Sequence, residues 1–167
     1  VIPERIDGVK VEAIESNVFS NSNITSVVIP EGVTDINGAF EACSSLKSAV
    51  IPGSVTNWDY AFGYCRGLES VEIKEGVTNI GSYAFEYCDS LKNVTIPGSV
   101  TDWDYAFYNC TGLESVEIKE GVTSIGNSAF ENCTALANVT IPEGVTSIGS
   151  YAFDSCIALT SVTIPEG

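Results

Sequence analysis

Histidine and methionine are both absent from this chain, and only seven residues carry a positive charge. The missing histidine removes the commonest general base and excludes nucleophiles activated through Ser–His or Cys–His pairing. It also deprives a zinc site of its usual nitrogen ligands, and none of the six cysteines forms a C-x-x-C pair. No catalytic residue, cofactor or metal site is therefore expected. Set against 22 acids, the few bases leave a formal charge of −15. Such a chain is repelled by nucleic acid and by anionic membrane, so neither is an expected partner. No apolar run approaches the ~18 residues of a spanning helix, so no membrane insertion is expected from this segment. Without methionine, Val1 is not a translation start, and we expect a mature or trimmed piece of a longer precursor.

What is present is repetition. Units begin at Ile24, Leu46, Leu68, Leu91, Leu113, Leu136 and Leu159, spaced 22 or 23 residues apart. All seven phenylalanines (Phe19, Phe40, Phe62, Phe85, Phe107, Phe130, Phe153) share one repeat position. All six cysteines (Cys43, Cys65, Cys88, Cys110, Cys133, Cys156) share another, three residues later, and the six prolines share a third. Residues 46–90 and 91–135 form a duplicated block, identical at 32 of 45 positions. In each block a shorter unit replaces an isoleucine by Trp58 or Trp103 and drops one residue near the usual glycine.

One unit reads as one coil. Leu-x-x-Val-x-Ile alternates apolar and polar residues before a proline, as a short strand does. Proline lacks the amide donor and ends the strand. Val-Thr-x-Ile then supplies a second inward anchor, and glycine opens another turn. Ala-Phe-x-x-Cys is expected to be a short helical or 3-10 turn, because residues three apart share a face. A single coil cannot bury these anchors, whereas stacked coils bury them against each other and pair their strands. The expected fold is an α/β repeat: a right-handed solenoid with short parallel strands on the concave face and helical turns and loops on the convex side. We divide it into an atypical first coil (1–23), full repeats (24–45, 46–67, 68–90, 91–112, 113–135, 136–158) and a truncated last one (159–167), and expect further repeats or a cap in the parent protein.

The phrase L-x-x-V-x-I-P-x-x-V-T-x-I-G-x-x-A-F-x-x-C resembles the BspA-type (Treponema pallidum-type) leucine-rich repeats of bacterial surface proteins. The resemblance runs from Val1 to Gly167, and the first coil departs from it at Ser22, where later units have cysteine. It implies an extracellular or cell-surface location and a protein partner on a host or neighbouring cell. It carries over no catalytic residue.

Three columns invite a functional reading. The cysteine column reads as buried free thiols packing as small hydrophobes, since stacked parallel side chains are poorly aimed for a disulfide. The outward strand positions Lys47, Glu69, Glu72, Lys92, Thr95, Glu114, Glu117 and Thr140 form the expected partner-binding surface, with Lys47–Glu69–Lys92–Glu114 alternating in sign. Tyr60, Tyr83, Tyr105 and Tyr151 fall two or three residues after Trp58, Ile80, Trp103 and Ile148. They offer an alternative, a tyrosine and tryptophan stripe stacking on a glycan, although the tryptophans stand at a core position. A third possibility is a spacer with no binding of its own.

Overall fold

The computed structural model describes residues 2–165 as a β-solenoid of about six turns. Val1, Glu166 and Gly167, the ends of the repeat region assigned from sequence, lie outside the described residues. Strands β1 (Arg5–Ile6) and β2 (Val9–Lys10) form a small antiparallel hairpin in the first coil. The coil strands follow as β3 (Ser26–Val28), β4 (Ser48–Ile51), β5 (Ser70–Ile73), β6 (Asn93–Ile96), β7 (Ser115–Ile118) and β9 (Asn138–Thr140). The two-residue strands β8 (Ser124–Ile125) and β10 (Ser147–Ile148) pair in parallel at the second anchor.

Parallel pairing keeps the repeat register. Val27 faces Ala49, which faces Val71, and Ile51 faces Ile73. The alternation read from sequence is realised in β6, where Val94 and Ile96 are buried and Asn93 and Thr95 are exposed. The continuous sheet expected from stacking is divided, however. β3, β4 and β5 make one three-stranded sheet and β6, β7 and β9 another, so the ladder stops at the junction of the duplicated blocks.

The interior is a set of columns. Leu46, Leu68, Leu91, Leu113 and Leu136 are fully buried, as are Phe62, Phe85, Phe107 and Phe130. Phenylalanine rings of successive coils stack with centroids 5.2 to 5.6 Å apart and planes within 12° of parallel. Trp58 and Trp103 are inside too. Their indole N–H donates to the Asn79 and Ser124 carbonyls of the next coil at 2.7 and 2.9 Å. The backbone N–H of Ile36 and Ile80 makes the equivalent bond to Asn57 and Asp102 at 2.9 and 2.8 Å. Tryptophan thus suits the shorter unit because its side chain supplies an inter-coil donor. It also fills the space, standing edge-on to Phe85 and Phe130. The glycine after this anchor is required by proximity. A Cβ on Gly81 would sit 2.5 Å from the Trp58 backbone, and one on Gly126 would sit 2.7 Å from the Trp103 carbonyl oxygen.

The helical turn expected at Ala-Phe-x-x-Cys is corrected by the structure: no helix occurs among the described residues. The segment is a run of tight turns whose alternate amides point in different directions. Ala61, Gly63 and Cys65 donate to carbonyls three residues back, each at 3.1 Å. Tyr60, Phe62 and Tyr64 donate instead to Ser82, Ala84 and Glu86 of the next coil, at 3.0, 2.9 and 2.7 Å. A helix needs every one of these donors for itself, so committing half of them to the neighbouring coil excludes it.

That alternation demands left-handed backbone at two positions per coil. Tyr60 and Tyr64 have φ of 55° and 60°, and Tyr83, Tyr87, Tyr105 and Tyr151 behave alike. Such a conformation costs a non-glycine residue about 1–2 kcal/mol. The inter-coil hydrogen bond made by the Tyr60 and Tyr64 amides offsets it.

Candidate functional site

The left-handed column runs Asn17, Gly38, Tyr60, Tyr83, Tyr105, Ser128, Tyr151, with φ between 49° and 65° throughout. Because the backbone is the same at each rung, equivalent side chains project in register. Tyr60 stacks on Tyr83 at 5.2 Å and 11°, and Tyr83 on Tyr105 at 4.9 Å and 22°. Three residues on, a second column places Glu86, Tyr108, Glu131 and Asp154 alongside. Tyr108 meets Tyr83 and Tyr105 edge-on. Together these residues line an open groove of about 610 Å³, formed by Tyr60, Tyr83, Glu86, Tyr105, Tyr108, Ser128, Glu131, Tyr151 and Asp154.

The groove is electronegative. It is lined by three carboxylates and no base. Among the described residues the four ion pairs all lie elsewhere. Glu86 is only 9 % exposed. Burial, then repulsion from Glu41, raises its carboxyl above the ordinary value. The Tyr83 phenol is raised as well, first by burial and then by Tyr105, Tyr60 and Glu86.

The strand-face residues behave differently. Lys47 pairs with Glu69 at 2.7 Å and Lys92 with Glu114 at 3.0 Å, all four well exposed. The alternating series is thus split into two pairs at the β5–β6 division, where Glu69, Asp89, Ser90 and Lys92 line a shallow gap of about 440 Å³. Glu117 is held by Lys119 at 2.6 Å, and Thr95 donates to it at 3.4 Å. The Lys119 contact lowers the Glu117 carboxyl. Glu72 and Thr140 are exposed on their strands. Of the stripe considered for a glycan, Tyr60, Tyr83, Tyr105 and Tyr151 all line the groove, while the buried Trp58 and Trp103 do not take part.

All six cysteines are free and buried. They are more than small hydrophobes. Each Sγ donates to the phenylalanine carbonyl of the preceding coil, as from Cys65 to Phe40 at 3.2 Å and from Cys110 to Phe85 at 3.0 Å. The same carbonyls already accept the cysteine amide of their own coil, or the Ser22 amide at Phe19, so the thiol satisfies the second lone pair. Burial pushes the Cys65 thiol up to about 12 and Cys156 to about 11, and raises Cys88, Cys110 and Cys133. These are inert structural groups.

Sequence reasoning missed Glu86, Tyr108, Ser128, Glu131 and Asp154. For all but Ser128, which stands in the tyrosine column itself, the available signal was a fixed offset of three residues from that column. It also missed the second ladder, in which Tyr64 stacks on Tyr87 at 5.0 Å.

No helix of the described residues is long and apolar enough to cross a membrane. The sequence matches the BspA type leucine rich repeat region in six copies, over residues 12–105 and 103–167. Among solved structures it is similar to a leucine rich cell surface protein of Faecalibacterium prausnitzii A2-165, at 32% identity and a TM-score of 0.65 over 86% of the chain. The chain spans 37% of that protein. It is also similar to the leucine rich repeat protein of T. pallidum (27% identity, TM-score 0.61, 95% of this chain and 76% of that one). A leucine-rich repeat protein from Bacteroides ovatus is similar at 25% identity and a TM-score of 0.56, over 95% of this chain and 53% of that one. No curated protein matches it. The chain belongs to the BspA-type leucine-rich repeat family.

Proposed function

We propose that this chain is a non-catalytic protein-binding module displayed at the cell surface, and that the tyrosine and carboxylate groove receives a basic partner. One observation carries the reading. One groove of about 610 Å³ gathers five tyrosines and three carboxylates without a compensating base. Tyrosine suits a partner surface, since it offers a rigid apolar body with a polar tip. The charge accelerates encounter with a cationic protein and selects against acidic ones. The strand face is the weaker candidate, because two of its Lys–Glu pairs and the Lys119–Glu117 pair neutralise one another. A glycan has less room here, because Tyr60, Tyr83 and Tyr105 cover each other's faces.

The test is capture of host extracellular proteins by the immobilised chain at low and moderate salt, read by mass spectrometry. Tyr60→Ser/Tyr83→Ser should lose the captured set, which should be rich in basic proteins and fade with salt. Charge reversal of Glu69, Glu72, Glu114 and Glu117 to lysine should leave it largely intact. Loss in the strand-face variant alone would move the site to the sheet. Binding only on a glycan array would turn the groove into a lectin site, and no capture at all would leave a spacer.

A further inference from the structure

The tyrosine ladder has one rung missing. Tyr60, Tyr83 and Tyr105 stack at the coil pitch, the next coil carries Ser128, and the one after carries Tyr151. Ser128 has the same left-handed backbone, with φ of 49° against 55° to 59° for the four tyrosines, so the gap comes from the side chain alone. Two coil spacings of ~4.8 Å separate the flanking rungs by roughly 10 Å. That is twice the 4.9 to 5.2 Å centroid spacing of the tyrosine ladder, room for one planar group about 5 Å from the centre of each flanking ring. Ser128 is only 2 % exposed and lines the groove, while Tyr151, stacked on no other ring among the described residues, is 69 % exposed. Glu131 stands beside the vacant rung and Asp154 beside Tyr151, both lining the same groove.

We propose that this vacant rung is a slot for one arginine guanidinium of the basic partner, a reading that rests on the groove being the binding surface. A guanidinium is flat, stacks on aromatic faces at both sides and donates in its own plane to a carboxylate. The slot supplies those complements in that arrangement, with Tyr105 and Tyr151 as walls and Glu131 at the edge. Lysine is a compact point charge and matches the carboxylate but not the walls. The chain itself already uses the combination. The Arg66 guanidinium lies 5.2 Å from the centre of the Tyr87 ring and pairs with Asp89. There the arginine is built in, whereas at Ser128 the acceptor set is complete and the cation is left to the partner. Glu86, nine-tenths buried farther along the groove and free of ion pairs among the described residues, adds to the negative potential.

The experiment uses a blocked glycine pentapeptide with a central arginine, and versions with lysine or phenylalanine instead, titrated against the chain at low salt by NMR. The arginine peptide should bind at least tenfold more tightly than the lysine one. Ser128→Tyr, which fills the slot with a ring the backbone accepts at four other coils, should weaken it tenfold or more, and Ser128→Ala should leave it within twofold. Should Ser128→Tyr fail to fold, Tyr151→Ser removes one wall at an exposed position and should give the same loss. Equal binding of arginine and lysine peptides, or unchanged binding by Ser128→Tyr, overturns the slot. Preference for the phenylalanine peptide overturns the choice of occupant. Protein capture that survives Ser128→Tyr but not Tyr60→Ser/Tyr83→Ser would reject the slot and keep the groove, and the reverse pattern would keep the slot and confine the binding surface to the Tyr105–Tyr151 end of the groove.

Discussion

Two aromatic ladders climb the molecule at nearly the same pitch, one sealed inside and one open to solvent. Phenylalanine centroids repeat at 5.2 to 5.6 Å, and the tyrosines at 4.9 and 5.2 Å. The two sets of rings are only two residues apart in sequence, as in Tyr83 and Phe85. Their common spacing comes from the alternate amides that bond coil to coil, so ring attraction is a consequence of the stack and not its cause. What differs is the surroundings. Phe85 is fully buried, whereas Tyr60 is 43 % exposed and its neighbours face a groove. The inner ladder is complete from Phe19 to Phe153, and the outer one is broken at Ser128. Where burial drives packing every rung is filled. Where it does not, the ladder is free to vary and to present a site.

The largest expected effect separates the ladders by stability. Phe85→Ala should cost about 3–5 kcal/mol, since it empties a closed site in the middle of the array. Tyr60→Ala should cost about 1 kcal/mol, close to the worth of the one aromatic pair it makes with Tyr83. Urea unfolding followed by tryptophan fluorescence measures both, because Trp58 stands edge-on to Phe85. Similar losses would mean that the tyrosine ladder is also core and that the two ladders do not differ in kind.

Much of the inner ladder was legible in the sequence and little of the outer one. Phe62, Cys65 and Leu68 recur in strict register because each must fill the same closed space in every coil. Trp58 and Trp103 stand where other units have isoleucine, which pointed inward correctly. The helical reading failed because Phe62 and Cys65, three apart, share a face in a run of turns as they do in a helix. Only the inter-coil direction of the Tyr60 and Tyr64 amides separates the two, and that is a long-range property. Left-handed backbone at tyrosine is likewise invisible, since the residue normally expected there is glycine or asparagine. Asn17, Asn21, Asn109 and Asn132 in those two columns were the available hint. The vacant rung was present in the string as a serine among tyrosines, but its meaning requires the stack.

The thiols sharpen the contrast at intermediate size. Cys65 and Cys156 titrate near 12 and 11 in the folded chain because burial opposes the thiolate. The unfolded chain releases those protons near 9.0, the ordinary value. The folded state therefore holds more protons above that pH, and stability declines as pH rises from about 9 through 11 to 12. The melting temperature should be flat from pH 7 to 8.5 and fall steeply beyond. Cys88→Ser should soften the fall, because it keeps a donor to the Phe62 carbonyl without an ionisable thiol. Cys88→Ala should cost about 1–2 kcal/mol at neutral pH for the unsatisfied lone pair and lost volume. A melting temperature unchanged to pH 11 would show that the thiols are reachable by water.

The smallest expected effect is a gain. Glu86 sits beside the tyrosines with its carboxyl raised above the ordinary value, by burial first and by Glu41 second. A carboxyl raised in the folded state favours folding where it is protonated and opposes folding where it is charged. At neutral pH it is charged, so Glu86→Gln should raise the melting temperature by one or a few degrees, on the order of a fraction of a kcal/mol. As pH falls below the ordinary value of 4.5, the wild-type group is protonated in both states and the difference should close. A gain that persists at pH 3 would assign the effect to packing and not to charge. The same substitution should weaken capture of basic proteins, since it removes the most buried carboxylate of the groove. No buried position of the phenylalanine ladder carries a charge that opposes folding. A destabilising charge kept beside the open ladder is what a surface held for binding predicts.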